Sequence, residues 1–326
     1  MSDYGLLVGI NTYPGLQPSQ QLKLAVTDAT AVRDWLEQNG ADPAQLKLLT
    51  STDGPGRPTH DDVDEALLEL FALAENDSDP DKRFFLYFSG HGLGPKRFSH
   101  DLCLAGWSDR RSQCALQHES YRDLLAECGL FAQIFFFLDC CRDRGVAKTG
   151  LPNSIGSGWP GEGASDSRYF VAHAAEYQKP AYETDLEKRS VFTEALLSGL
   201  NGAAADDQGR VRLNGLVQWL ETETPRLALK KRYHQKPTFG NTFGSQNPVI
   251  CTVAPPELPA TFVFPPGDTQ RWTLEDKRLT EIHAAPGDSP WFLQLPLGLY
   301  NLVPDHGDGQ LIRVRPGEQN RFEIQP

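Results

Sequence analysis

The chain has 326 residues, 39% of them hydrophobic and 23% charged, a balance typical of an ordinary globular protein with room for one large domain and one small one. With 43 acidic residues against 31 basic and a net charge of −12, it is not the kind of chain that takes nucleic acid as its main partner. No apolar run approaches the roughly 20 residues needed to span a bilayer, and the N-terminal MSDYGLLVGI lacks a basic segment followed by a long apolar one.

The six cysteines include one adjacent pair, Cys140 and Cys141, and no C-x-x-C. That spacing supports neither a disulfide framework nor a structural zinc site, so the expectation is a reducing, cytoplasmic protein with no membrane segment, metal or cofactor.

In chain order, Tyr4 to Ile10 reads as a short buried strand ending at Asn11 and the turn former Pro14-Gly15. Ala29, Val32, Trp35 and Leu36 recur at helical spacing from about Val26 to Asn39, where Asn39-Gly40 supplies a stop. Leu46 to Leu49 is a second strand. Thr59, with Asp62 three positions on, is the start signal of a helix running through Leu67 and Phe71. Phe84 to Gly92, FFLYFSGHG, is a third strand ending on a glycine-flanked histidine. Asp101 to Ala105 suggests a short strand, Glu119 to Cys128 a helix, and Ile134 to Arg144, IFFFLDCCRDR, another aromatic strand with a reactive end. Residues 145–168 lack periodicity and form a long loop. Beyond it lie a strand at Tyr169–Ala174, helices at Phe192–Leu200 and Leu213–Leu229, and a strand at Pro248–Val253.

Alternating strands and helices predict an α/β domain: a mostly parallel sheet of about six strands with helices on both faces. The unbroken hydrophobicity of FFLYF and IFFFL marks central strands buried on both sides. After Ala254 the helical periodicity disappears. Short apolar segments between Pro-Gly and Gly-Asp turns then predict a small all-β, sandwich-like domain over 255–326. The expected division is therefore 1–254, with a large segment 1–144, the loop 145–168 and a small segment 169–254, followed by 255–326.

In such sheets functional groups collect at the carboxyl ends of strands, which is where Ser89, His91, Asp139 and Cys141 fall. A thiolate attacks a carbonyl carbon when an imidazole takes its proton and amide donors hold the developing oxyanion. His91 and Cys141 are candidates for that pair, with the N–H groups of Gly92 and Cys141 as oxyanion donors. Each feature alone also has a structural reading, as a tight turn or as a small buried hydrophobe.

The residues YGLLVGINTYP, LKLAVTDATAVRDWL, FFLYFSGHG and FFFLDCCRDR resemble the caspase and metacaspase family of cysteine peptidases. FVAHAAEYQKPAYE and SVFTEALLSGL resemble that family's smaller segment, and the likeness covers about residues 3–253. The resemblance implies a caspase-like fold, Cys141 as nucleophile, His91 as base and a packing role for Cys140. It also places an S1 pocket on Asp28, Ser89 and Asp139. Two carboxylates in a semi-buried pocket favour a guanidinium or ammonium, so cleavage after Arg or Lys is expected. The remaining histidines, at 60, 100, 118, 173, 234, 283 and 306, are expected to be structural or on the surface.

Many family members bind calcium through an Asp after the His loop and a later Asp-Asp pair. The first matches Asp101 here, but the pair reads Gln117-His118, so a calcium-independent enzyme is expected. Arg142, Arg144, Lys148 and Lys188-Arg189 are sites where an enzyme cutting after basic residues would process itself, or else solvated loop charges. The resemblance implies a protein or peptide substrate with a basic P1 residue, a regulatory protein partner, and a place in regulated proteolysis such as bacterial defence or cell death. One alternative is a catalytically silent caspase-like scaffold that binds partners through its β domain. Another is a related cysteine peptidase with the same SGHG turn, against which the DCCR sequence argues.

Overall fold

The computed structural model describes residues 1–94, 100–142, 150–156, 166–183, 189–254, 257–296, 298–315 and 320–325. Arg144, Lys148, Lys188 and much of the 145–168 loop lie outside the described residues. The chain divides into two compact units, Met1–Gly199 with Leu216–Pro248, and Leu200–Gly215 with Val249–Pro326.

The chain runs β1 (Asp3–Gly9), α1 (Ala25–Gln38), β2 (Leu46–Thr50), α2 (His60–Glu75) and β3 (Arg83–Ser89). A small antiparallel ladder follows, of β4 (Gly92–Leu93), β5 (Asp101–Cys103) and β6 (Ala115–Gln117). Then come α3 (His118–Glu127), β7 (Gln133–Asp139), β8 (Arg168–His173) and α4 (Val191–Ser198). The remaining elements before the C-terminal strands are β9 (Arg210–Arg212), α5 (Leu213–Lys230), β10 (Thr238–Asn241) and β11 (Val249–Thr252).

The main sheet has the order β10-β8-β7-β3-β1-β2, parallel throughout except for the antiparallel edge strand β10. The sequence places its last strand at 248–253, whereas the sixth strand of this sheet is Thr238–Asn241. Its sequence, TFGN, is short and only partly buried, so it carries no continuous apolar run to read. β11 pairs instead with β9 in the second unit.

Both faces of the central strands are buried, as their composition demands. Tyr4, Leu6 and Val8 of β1, Phe84, Leu86 and Phe88 of β3, and Ile134, Phe136 and Leu138 of β7 share a core with Leu67, Leu70 and Phe71 of α2 and with Tyr121 and Leu125 of α3. The alternate residues meet the opposite layer: Phe85 lies against Trp35 of α1 at 6.4 Å, and Tyr87 bonds Thr193 of α4. α1 lies close because β1 carries Gly9, where a Cβ would sit 2.5 Å from the Ala25 carbonyl oxygen. Thr59 and Asp62 bond reciprocally at the start of α2. At the amino ends of the strands, register is fixed by the buried, bidentate Arg83–Asp3 pair, both contacts 2.6 Å, between directly opposed residues.

The second unit adds β12 (Glu257–Val263), β13 (Arg271–Glu275), β14 (Glu281–Pro286), β15 (Trp291–Pro296), β16 (Gly298–Pro304), β17 (Gln310–Val314) and β18 (Asn320–Glu323). They form two sheets, β15-β12-β18 and β14-β13-β16-β17, joined by one core that includes Phe262, Trp272, Leu274, Trp291 and Leu302. Among the described residues no helix is long and apolar enough to cross a membrane.

Candidate active site

Two aromatic strands define the site by ending at the same edge. β3 and β7 pair in parallel with Ser89 opposite Asp139, and the Gly90 N–H reaches the Asp139 carbonyl at 3.4 Å. His91 and Cys141 each stand two residues beyond that pair. Gly92 is needed there, because a Cβ on it would lie 2.6 Å from the Cys141 carbonyl oxygen and 2.7 Å from Cys140 Sγ.

His91 is half-buried and held from three sides. Its N–H donates to the Tyr13 hydroxyl at 2.8 Å, its ring lies 4.7 Å from the Tyr13 ring, and Nε2 is 2.7 Å from the Gln20 carbonyl oxygen. A carbonyl only accepts, so Nε2 carries a hydrogen, which leaves Nδ1 as the nitrogen available to take up a proton. Tyr13, in the fixed turn after β1, also donates to the Cys103 carbonyl at 3.1 Å. Sequence reasoning assigned it no role.

Cys141 is half-buried, and the Ala181 N–H donates to its Sγ at 3.2 Å. The backbone of Arg142 pairs on both sides with the segment after β8: its N–H reaches the Lys179 carbonyl at 3.1 Å and its carbonyl accepts from Gln178 at 2.9 Å. Cys140 differs in kind. It is 1% exposed, burial pushes its thiol well up, and its Sγ lies 3.2 Å from Nε2 of the fully buried His100. This is a close Cys–His contact, but both groups are sealed from substrate and burial holds the His100 imidazole well below its ordinary pKa.

Asp28, Ser89 and Asp139 are all buried, at 0%, 3% and 5% exposure. Asp28 lies in the first turn of α1, and both its oxygens accept from the Ser190 N–H at 3.3 Å. Asp139 accepts from the Ser190 hydroxyl and, at 2.6 Å, from Thr193. Burial pushes both carboxyls up, and the Asp139 charge raises Asp28 further. A third carboxylate, Glu183, accepts from the Lys23 and Leu24 N–H groups at 2.8 Å each and bears electrostatically on both aspartates. Ser190, the N-cap of α4, and Glu183 were missed by sequence reasoning, since only tertiary contact relates them to this corner.

Three of the unassigned histidines also meet here. His100, His118 and His173 stand with ring centroids 5.2 to 5.8 Å apart behind Cys140 and Cys141. Asp101 is buried, with one oxygen accepting from the Gly150 N–H at 2.7 Å and the other without a hydrogen-bond partner. Gln117 and His118 bring it no carboxylate, and the nearby Glu119 is taken up by the His100 N–H and by His118, a set that does not suit Ca²⁺. Among the described residues no group of three His, Cys, Asp or Glu side chains is placed to hold a metal ion.

The family model described as Peptidase_C14, Caspase domain, matches residues 3–246. A protein named "Probable protease" from a Desulfuromonadales bacterium is 29% identical over 299 residues, covering 81% of this chain and 35% of that protein. The chain thus spans about a third of the length of that relative. Among solved structures, protein GSU0716 from Geobacter sulfurreducens aligns with a TM-score of 0.48 at 15% identity, over 74% of this chain and 94% of that one. Caspase-1 from Spodoptera frugiperda aligns with a TM-score of 0.48 at 12% identity, over 73% and 85%.

Proposed function

This chain belongs to the caspase-domain family of peptidases, and from that premise we propose that it is a cysteine endopeptidase cutting after Arg or Lys. The observation that carries the reading is the position of Asp28, Ser89 and Asp139: buried at the sheet edge from which His91 and Cys141 emerge, with Glu183 beside them. Among the described residues none of the three carboxylates has an ion-pair partner, and a guanidinium or ammonium in the pocket supplies the missing charge.

The reaction follows from the atoms available. His91 Nδ1 takes the proton of the Cys141 thiol, and the Ala181 N–H aimed at the sulfur suits the charge of the thiolate. The thiolate attacks the scissile carbonyl, the Gly92 and Cys141 N–H groups receive the oxyanion, and the imidazolium protonates the departing amine. Water, deprotonated by His91, then hydrolyses the thioester and frees Cys141. Cys140 and His100 do not serve as the pair, because buried and neutral they meet no substrate.

We read 1–254 as the peptidase domain and 255–326 as an accessory β domain that engages a regulatory partner. A cytoplasmic place in regulated proteolysis, such as defence or cell death, is carried over by analogy with the family. A panel of fluorogenic peptides differing only at P1 tests the specificity. Release after Arg and Lys is expected, and preferential release after Asp or an apolar residue would sink the assignment.

A further inference from the structure

The histidines behind the nucleophile are hydrogen-bonded in a way that fixes where their protons lie. His100 Nε2 is 3.0 Å from the Cys141 carbonyl oxygen, which only accepts, so Nε2 carries a hydrogen. The ring is fully buried, with His118 from α3, His173 from β8 and Arg142 bearing on it, and it stays neutral. With one proton already on Nε2, its Nδ1 is bare and accepts from His173 Nδ1, 3.1 Å away. His118 Nδ1, 2.9 Å from the His100 carbonyl oxygen, is likewise a donor. Glu119 completes the group by accepting from the His100 N–H at 3.0 Å and facing His118 at 3.1 Å. The donors therefore run in one direction, from His173 through His100 to the peptide that follows Cys141.

We propose that His100 is a positioning residue for the nucleophile: its Nε2–H holds the Cys141 carbonyl and so sets the orientation of the peptide that carries the reacting sulfur. The same contact ties the turn after β7 to the start of β5, the strand that pairs with β4 next to His91. Gly92, next to the base, leaves just enough room for it, since a Cβ there would sit 2.8 Å from His100 Nε2 and 2.6 Å from the Cys141 oxygen. A second proton on His100 would set N–H against N–H across the 3.1 Å gap to His173, so the arrangement works only with the His100 ring neutral. The groups that bear on the ring are His118, His173, Arg142, Cys140 and the Cys141 carbonyl, while Glu119 takes the backbone N–H of the same residue. The inference rests on Cys141 being the nucleophile.

The test uses the full chain and compares His100→Phe, which removes both nitrogens and keeps the bulk, with His100→Gln, whose amide N–H reaches the place of Nε2. Displacement of a reacting atom by a fraction of an ångström is expected to lower kcat for an Arg or Lys peptide by about tenfold or more in H100F. KM should stay within about twofold, and H100Q should recover most of the loss. Thermal melting confirms that each variant is folded. A folded H100F with wild-type kcat, or a folded H100Q as slow as H100F, overturns the proposal. Should H100F not fold, His173→Asn and His173→Phe replace it, the Asn keeping a donor at Nδ1; equal kcat in the two would contradict the relay. If the wild-type protein cleaves none of the peptides, the peptidase reading fails by itself. Positioning is then read from the rate at which iodoacetamide alkylates Cys141, expected to fall about threefold or more in H100F and to recover in H100Q. Equal rates in all three proteins overturn it.

Discussion

Ser89 and Asp139 are directly opposed on adjacent parallel strands, and that single register point places His91 and Cys141 at one edge of the sheet. Beyond that pair the two turns stay adjacent, since a Cβ on Gly92 would lie 2.6 Å from the Cys141 carbonyl oxygen. The two adjacent cysteines do not share that corner equally. Cys140 turns into the core, 1% exposed, while Cys141 stays half-buried against Ala181.

Cys141→Ala is therefore expected to lower kcat by at least about 10³-fold, the scale of losing a nucleophile. Cys140→Ala should keep kcat within about tenfold and instead lower stability by roughly 1 kcal/mol, the cost of a small cavity. Peptide hydrolysis and thermal melts of the two variants distinguish them, and the reverse pattern would move the nucleophile to Cys140.

Asp28 tests the pocket without touching the reacting atoms. Hydrogen bonds to charged groups contribute about 1.5–3 kcal/mol, so Asp28→Asn should cost about 10- to 100-fold in kcat/KM on Arg and Lys peptides, mainly through KM. Glu183→Gln keeps an acceptor for the backbone of 23–24 but removes the charge, and a smaller loss in the same direction is expected. An unchanged KM in D28N argues that Asp28 merely anchors Ser190.

The same carboxyls make the pocket sensitive to pH. Burial raises Asp28 and Asp139 above the ordinary carboxylate range, so the folded protein holds protons there that the unfolded chain has released. Their contribution to stability is full below the unfolded pKa and is lost as pH rises through the folded values, from about pH 4 towards neutrality and just above. A cationic ligand offsets that loss by pairing the charge. The melting-temperature gain from benzamidine should then grow with pH over that window, and KM for an Arg peptide should fall. A gain that is flat or shrinks with pH would show that the two aspartates do not receive the cation.

Far from the chemistry, the buried Asp3–Arg83 pair offers a control on the fold. Breaking a buried, bidentate pair by removing one partner is strongly destabilising, so Asp3→Ala is expected to cost about 3 kcal/mol. Urea unfolding measures this, and kcat of the remaining folded protein should be unchanged. A loss below about 1 kcal/mol would place the pair with ordinary surface ion pairs.

Much of this was legible in the sequence because the signals were local. FFLYF and IFFFL announced buried central strands, Thr59 and Asp62 announced a helix start, and both forecasts match β3, β7 and α2. What escaped notice depends on contacts across the fold. TFGN is an edge strand with two exposed residues and no apolar pattern, β13 is a five-residue strand between polar turns, and β14 has no fully buried residue to mark it. Glu183 lies about 160 positions from the start of α1, and Ser190 lies 162 positions from Asp28 and 51 from Asp139, so no local spacing in the sequence relates them. The three histidines at 100, 118 and 173 looked unremarkable one at a time. Only the pairing of β5 with β6, and of β7 with β8, gathers them behind Cys141.

In the proposed mechanism Cys141 attacks a carbonyl that an Arg or Lys side chain has delivered to the pocket. The most direct measurement is reaction of the full-length protein with an Arg-directed chloromethyl ketone, followed by peptide mass mapping. One covalent adduct on Cys141 is expected, absent in Cys141→Ala and slowed in Asp28→Asn. An adduct on Cys140, or a folded protein that remains unlabelled while Cys141 still reacts with iodoacetamide, would contradict it.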